Sequence, residues 1–200
     1  MSEFRPVSCE DGYLPIEDHG LIGDGATAAL VGRDGAISWM CAPRFDSPPL
    51  FCRLLDAQRG GAFTVTPEGL IESRQYYEPG AAVLVTEMLG PTGLARVTDA
   101  LTLRQGANLT EDTAHGHCEL APVVEALRGN ARLRIEVEPQ GGGAGRTARR
   151  RSVRTRPRPS SSRFPVFIIS PAAGATQSDR TPGGRGYAFD AALGRRRQQT

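Results

Sequence analysis

Lysine is absent from all 200 residues, so each of the 24 basic side chains is an arginine. Lysine codons are A-rich and many arginine codons are G/C-rich, which points to a GC-rich gene. No apolar run approaches the roughly 20 residues that a membrane span needs. The opening MSEFRPVSCEDG has no hydrophobic segment of the kind a secretory signal carries. Cysteine is scarce and scattered: Cys9, Cys41, Cys52 and Cys118 form no CxxC pair, which argues against a zinc ribbon or a disulfide scaffold. The expected compartment is therefore the cytoplasm, with thiols reduced and no membrane partner. Cys41 and Cys52 stand beside apolar neighbours, where free cysteine ordinarily serves as a small core residue.

What is present is distributed unevenly. Residues 1–140 hold 11 Arg against 20 Asp and Glu, a balance of −9. Residues 141–200 hold 13 Arg against only Asp179 and Asp190, a balance of +11. The near-neutral total of +2 conceals two unlike pieces. The second piece is rich in Gly, Pro, Ser and Arg, and so poor in Leu, Ile, Val and Phe that it cannot offset its ordering entropy. It is expected to be a disordered basic tail. Its GGGAGRTARRRSVRTRPRPSSSR run has the composition of a phosphate-binding or PxxP-like segment, but translation out of frame in a GC-rich gene yields the same residues. That reading is preferred over nucleic-acid binding. FPVFIIS, at 164–170, is a lone apolar patch within it.

The first piece reads as short strands. The apolar stretch 26–31 runs into Gly32-Arg33-Asp34-Gly35, a turn by composition, and alternation resumes over 36–41 with Ile37 and either Trp39 or Met40 inward. This is a hairpin. In 131–138, Ala131, Leu133, Ile135 and Val137 share one face while Arg132, Arg134, Glu136 and Glu138 share the other, the pattern of a half-buried antiparallel strand. Further strands are expected at 62–66, 81–88, 95–100 and 119–126. One helix is expected over 48–59: prolines fit its first turn, Leu50, Phe51, Leu54 and Leu55 supply an apolar face, and Gly60-Gly61 supplies a left-handed cap.

Two apparent motifs dissolve on inspection. Gly23-Asp24-Gly25-Ala26-Thr27-Ala28 has the form GxGxxA, yet a dinucleotide loop needs a long helix after it to hold pyrophosphate. Gly32 and Gly35 interrupt too soon, so a turn into a strand is expected and no cofactor. His115, His117, Cys118 and Glu119 are closely spaced metal-ligand types, but His19 is the only other histidine. A surface loop is expected there rather than a metal site. The carboxylates of Glu17, Asp18, Asp24, Asp34, Asp46 and Asp99 sit mostly beside glycine or in turns, where they bond local amides.

The densest constellation spans residues 39–49, WMCAPRFDSPP, with the only tryptophan, an arginine and an aspartate at a strand exit. Arg44 and Asp46 can tie the loop as an ion pair while Phe45 enters the core. Alternatively, an indole plate flanked by a guanidinium and a carboxylate is what a sugar ring contacts, its apolar face on the ring and its hydroxyls on the charges. Trp39, Arg44 and Asp46 are the candidate substrate-rim residues.

The stretch PIEDHGLIGDGATAALVGRDGAISWMCAPRFDSPPLFCRLLDAQRGGAF resembles the N-terminal, trehalase-like domain of bacterial glycoside hydrolase family 15 proteins, which include glucoamylases, glucodextranases and trehalases. YYEPGAAVLVTEM, ARVTDALTL and RLRIEVEP continue the resemblance, which covers about residues 14–139. Ala121-Pro122 stand where that family commonly has two arginines. The resemblance implies an all-β fold, an antiparallel β-supersandwich, placed before an (α/α)6 barrel that carries two catalytic glutamates. The expected organisation is an N-terminal extension over 1–11, the sandwich over 12–140 and the tail over 141–200. The implied role is an accessory, non-catalytic domain of an α-glucoside hydrolase whose partner is the barrel. The competing reading is a stand-alone carbohydrate-binding module. No residue here is assigned a catalytic role.

Overall fold

The structure is a computed structural model that describes residues 3–102, 120–140, 149–155 and 164–165. Among the described residues thirteen strands follow in chain order. They are β1 (Arg5–Pro6), β2 (His19–Gly23), β3 (Ala28–Gly32), β4 (Ala36–Cys41), β5 (Pro49–Phe51), β6 (Ala62–Pro67) and β7 (Glu72–Tyr77). Then come β8 (Leu84–Gly90), β9 (Gly93–Asp99), β10 (Val123–Gly129), β11 (Ala131–Glu138), β12 (Arg149–Thr155) and β13 (Phe164–Pro165). The only helical element among the described residues is a single 3₁₀ turn, Ile16–Asp18. Two antiparallel sheets result: one ordered β1-β7-β8-β9-β10-β13, the other β12-β11-β6-β4-β3-β2, with β5 added onto β4.

Strand phase builds the core. In β11, Leu133 and Ile135 are buried and Val137 packs against the same cluster, as the alternation predicts. They lie in register with Pro67, Val65 and Phe63 of β6. From the six-stranded sheet, Leu84, Met88, Ala95, Val97 and Val124 meet them. The β3–β4 hairpin forms as expected, with one refinement. Leu30 pairs with Trp39 but Val31 pairs with Ile37, so Ser38 is a bulge. The extra residue resets the phase, which is how Ile37 and Met40 both point inward while Trp39 points out. Gly35, at φ 81°, closes the turn, and a Cβ there would strike the Val65 carbonyl.

The helix expected over 48–59 does not form. Pro49 and Phe51 pair with Cys41 and Met40 as β5, and Leu50 and Phe51 drop into the core. Sheet hydrogen bonding thus claims the segment that should have opened the helix. Leu55 is 73% exposed, so no continuous apolar face exists. The Cys52 carbonyl receives both the Leu55 and Asp56 amides, a single turn, and Asp56 Oδ1 then takes the Gln58 and Arg59 amides. Gly61 is left-handed at φ 67° as a cap would be, but because a Cβ would strike the Glu138 carbonyl.

Two further strands follow β11 among the described residues. Arg149–Thr155 pairs along its free edge, with Val153 opposite Leu133, and Phe164–Pro165 pairs with Val124 and Val123. Composition argued for disorder from residue 141. Backbone pairing on an exposed edge needs no apolar sequence, so these two pieces add on. The rest of the tail lies outside the described residues, as do His115, His117, Cys118 and Glu119.

Asp99 faces inward on β9, opposite Leu84, and is 4% exposed. Burial pushes its carboxyl up to about 7. A carboxyl raised on folding holds its proton longer in the native state, so stability declines as pH rises from the unfolded value toward about 7, then levels. Asp99→Asn should match the parent near pH 4 and exceed it by roughly 2–4 kcal/mol near pH 8, measured by urea denaturation. Equal stabilities at the higher pH would contradict this.

Candidate functional site

Two loops dock at one end of the seven-stranded sheet. The first, between β2 and β3, is the GxGxxA segment, and it is a turn as expected. Asp24 Oδ1 accepts the Ala26 and Thr27 amides at 2.9 and 2.8 Å, with Gly25 at φ 86°. No long helix follows; Ala28 begins β3. The second loop, residues 42–48, leaves β4. The Phe45 amide donates to the Ala26 carbonyl at 2.9 Å, and the Thr27 hydroxyl donates to the Cys41 carbonyl. The Arg44 amide donates to Ser47 Oγ at 3.2 Å, and the Ser47 amide returns to the Arg44 carbonyl at 3.1 Å. Arg44 and Asp46 therefore sit on a loop stapled at both ends, and Trp39 on the strand that leads into it.

Arg44 and Asp46 are brought together, and Trp39 meets their loop through Phe45. Arg44 Nε lies 3.1 Å from Asp46 Oδ1, with the two side chains 49% and 75% exposed. Phe45 is not a core residue: it is 63% exposed and meets Trp39 edge-on, centroids 5.6 Å apart at 66°. The bulge at Ser38 and the Ala26 contact hold the loop so that Phe45 points outward. Leu21, Leu30 and Trp39 are register neighbours across β2, β3 and β4 on this outer face, so the aromatic pair ends an apolar stripe. The arrangement offers ring faces and edges beside one guanidinium and one carboxylate.

A second polar constellation was not legible in the sequence. Arg74, Glu87, Arg96 and Glu125 stand in one row across β7, β8, β9 and β10. Glu87 is 1% exposed and takes Arg74 Nη2 and Arg96 Nη2 at 2.6 Å each, with the Tyr76 hydroxyl donating at 3.1 Å. Burial works against its ionisation, but the hydrogen bonds from Arg96 and Arg74 outweigh it and the carboxyl lies below the usual glutamate range. β7, ESRQYY, was overlooked because its inward positions are Ser73 and Gln75, not apolar residues. The only available signal was the polarity of its outer positions Glu72, Arg74 and Tyr76, which a solvated loop shares.

Cys41 and Cys52 are buried free thiols, as expected of core residues, and burial pushes the Cys41 thiol up. Among the described residues no three His, Cys, Asp or Glu side chains converge as a metal site, and none of their helices is long and apolar enough to cross a membrane.

Residues 8–172 match the family described as "Trehalase-like, N-terminal". The matched span runs past Pro139 and corrects the reading that the family pattern stops at Gln140. A trehalase of Thermoplasma volcanium is 41% identical over 81 residues, 40% of this chain and 13% of its own length. Trehalases of Mycolicibacterium smegmatis and Mycobacterium tuberculosis are 37% and 36% identical over 92 residues, 46% of this chain and 14% and 13% of their lengths. The chain thus matches under a fifth of the length of these curated relatives. No solved structure matches it at a significant level.

The two ion-paired carboxylates predict opposite behaviour. Asp46→Ala should change stability by less than about 1 kcal/mol, because both partners are exposed and solvent screens them. Glu87→Ala should cost more, about 2–4 kcal/mol, by removing the buried carboxylate that Arg74 and Arg96 share, Arg96 keeping only the more distant Glu125. Denaturant midpoints of the two variants check this contrast.

Proposed function

The chain belongs to the trehalase-like N-terminal domain family, and from that premise we propose that it serves as the non-catalytic N-terminal domain of a family 15 α-glucoside hydrolase. Its partner in this reading is the (α/α)6 catalytic barrel, and the substrates of the whole enzyme are trehalose or glucan oligosaccharides. The observation that carries the reading is the match itself: a domain described as N-terminal, aligned with about an eighth of proteins named trehalase.

The geometry supports a non-catalytic role. Inverting hydrolysis needs an acid and a base roughly 6.5–9.5 Å apart across a site with room for one activated water. Asp46 is open to solvent and tied to Arg44. Asp18 is held by Arg33 and Arg5, and Glu87 by Arg74 and Arg96. None of these is poised to deliver or accept a proton. The chain as given should release no glucose from trehalose or maltose above a blank, read by coupled glucose oxidation. Release above the blank would refute the proposal.

The half-buried Trp39 and the exposed Phe45 packed on it, with Arg44 and Asp46 in the same loop, favour one second reading, a stand-alone carbohydrate-binding module. Titration with trehalose, maltose and isomaltose while following Trp39 fluorescence separates the two. A saturable change supports the module; a flat response leaves the accessory role.

A further inference from the structure

Residues 3–6 precede the span that matches the family, which begins at residue 8, yet they are seated on the domain by specific contacts. Arg5 and Pro6 form β1 and lie in register with Ser73 and Glu72 on the edge of β7. The Arg5 and Pro6 carbonyls accept from Arg33 Nη1 and Nη2 at 2.9 and 2.8 Å. The Arg5 side chain reaches Asp18 Oδ1 at 2.8 Å. The Arg74 guanidinium lies over the Phe4 ring, 4.9 Å from its centroid. Two kinds of contact are combined here. The main-chain contacts suit any extended segment, whereas the side-chain contacts select an aromatic residue followed by a basic one. Pro6 suits the edge position, since it has no N–H to offer a further strand.

The receiving side is built without this segment. Arg33 and Asp18 pair at 2.8 Å, both side chains 6% exposed. Arg74 is held by Glu87 at 2.6 Å, and β7 is laddered to β8 from Glu72 to Tyr77. The segment itself is lightly held. Its strand is two residues long with both residues exposed, and none of residues 3–6 belongs to the hydrophobic core. Residues 8–13, which lead away from it, are exposed as well. A cavity of about 200 Å³ remains at the seat, lined by Glu3 and Arg5 of the segment with Asp18, Arg33, Ser73 and Arg74. A strand that buries no core surface opens locally at low free-energy cost and leaves the rest folded.

We propose that the β7 edge, with Arg33, Asp18 and Arg74, is a docking site for an extended peptide of the form aromatic–Arg–Pro, and that residues 4–6 are its displaceable resident ligand. Such a peptide adds to the sheet as residues 4–6 do, by strand addition. Its aromatic ring lies against Arg74, its arginine pairs with Asp18, and its carbonyls accept from Arg33. An acidic residue in place of the arginine would face Asp18 and is disfavoured. The site shares no residue with the Trp39 rim and does not depend on the accessory-domain reading.

The test is fluorescence anisotropy of a labelled peptide, EFRPVS (residues 3–8), titrated with the full chain and with its Phe4→Ala/Arg5→Ala double variant. In that variant the resident segment is weakened and the receiving side is untouched; circular dichroism confirms that its strands persist. Saturable binding to the double variant is expected. The parent should bind about three- to tenfold more weakly, because its own segment competes at an effective concentration on the order of millimolar. The same peptide carrying Phe4→Ala and Arg5→Ala should bind the double variant about tenfold more weakly, the scale of one cation–π contact and one exposed ion pair lost together. In the parent itself, the amides of residues 3–5 should exchange hydrogen at least about a hundredfold faster than those of β8, as a segment that opens on its own does. No saturable binding to the double variant overturns the proposal. Equal binding to parent and double variant also overturns it, by placing the peptide elsewhere. Equal binding of the two peptides, or exchange in residues 3–5 as slow as in β8, does so too.

Discussion

Two twisted antiparallel sheets can stack only if their facing rows are apolar and in phase, and everything else in this domain is subject to that requirement. Phe63, Val65, Leu133 and Ile135 on one side face Leu84, Met88, Ala95 and Val97 on the other. A one-residue slip in any strand would turn its apolar set to water and its polar set inward. The bulge at Ser38 is the place where the chain uses such a slip deliberately. It keeps Ile37 and Met40 in the core while sending Trp39 to the outer face. The candidate site is thus a by-product of core phasing.

Buried charge does the work of orientation at the margins of that core. Arg33, in the β3–β4 turn, is nearly inaccessible. Its Nε lies 2.8 Å from Asp18 Oδ1, and its Nη atoms donate to the Arg5 and Pro6 carbonyls at 2.9 and 2.8 Å. One side chain therefore ties the turn of the seven-stranded sheet to β1 of the other. The hydrogen bond from Arg33 holds the Asp18 carboxyl below its usual range. Such a pair contributes little net energy compared with an apolar isostere, but removing one partner strands the other. Tyr77 acts similarly at the opposite edge: its hydroxyl serves both the amide and the carbonyl of Leu21, covering exposed backbone of β2.

The outer face of the seven-stranded sheet carries an aromatic rim at one end and a polar cleft nearer the middle. Both arise where loops return onto the sheet: residues 42–48 against the β2–β3 turn, and the stretch after β5 against the β3–β4 turn. In the second case the Leu54 amide donates to the Ser38 carbonyl and Arg53 reaches Asp34. The strands are a rigid platform, and chemical variety enters through what the loops lay over it.

The amino-acid sequence by itself determined the fold class, the β3–β4 hairpin and the inward face of β11, because alternation at period two is a local property that survives without a partner. It also exposed the GxGxxA segment as a turn, since a missing helix can be read from two glycines. Tertiary structure alone decided the rest. Residues 49–51 became a strand because β4 offered a free backbone edge, which no local spacing of leucines reveals. β7 pairs through Ser73 and Gln75, whose inward positions make sense only once the Val31 carbonyl and Thr86 are opposite Gln75. Phe45 lies outside because the Ala26 carbonyl fixes its amide. The cleft over Thr64, Thr66 and Arg134 joins strands some 70 residues apart in sequence, and the depth that buries the two threonines belongs to the packed sheet.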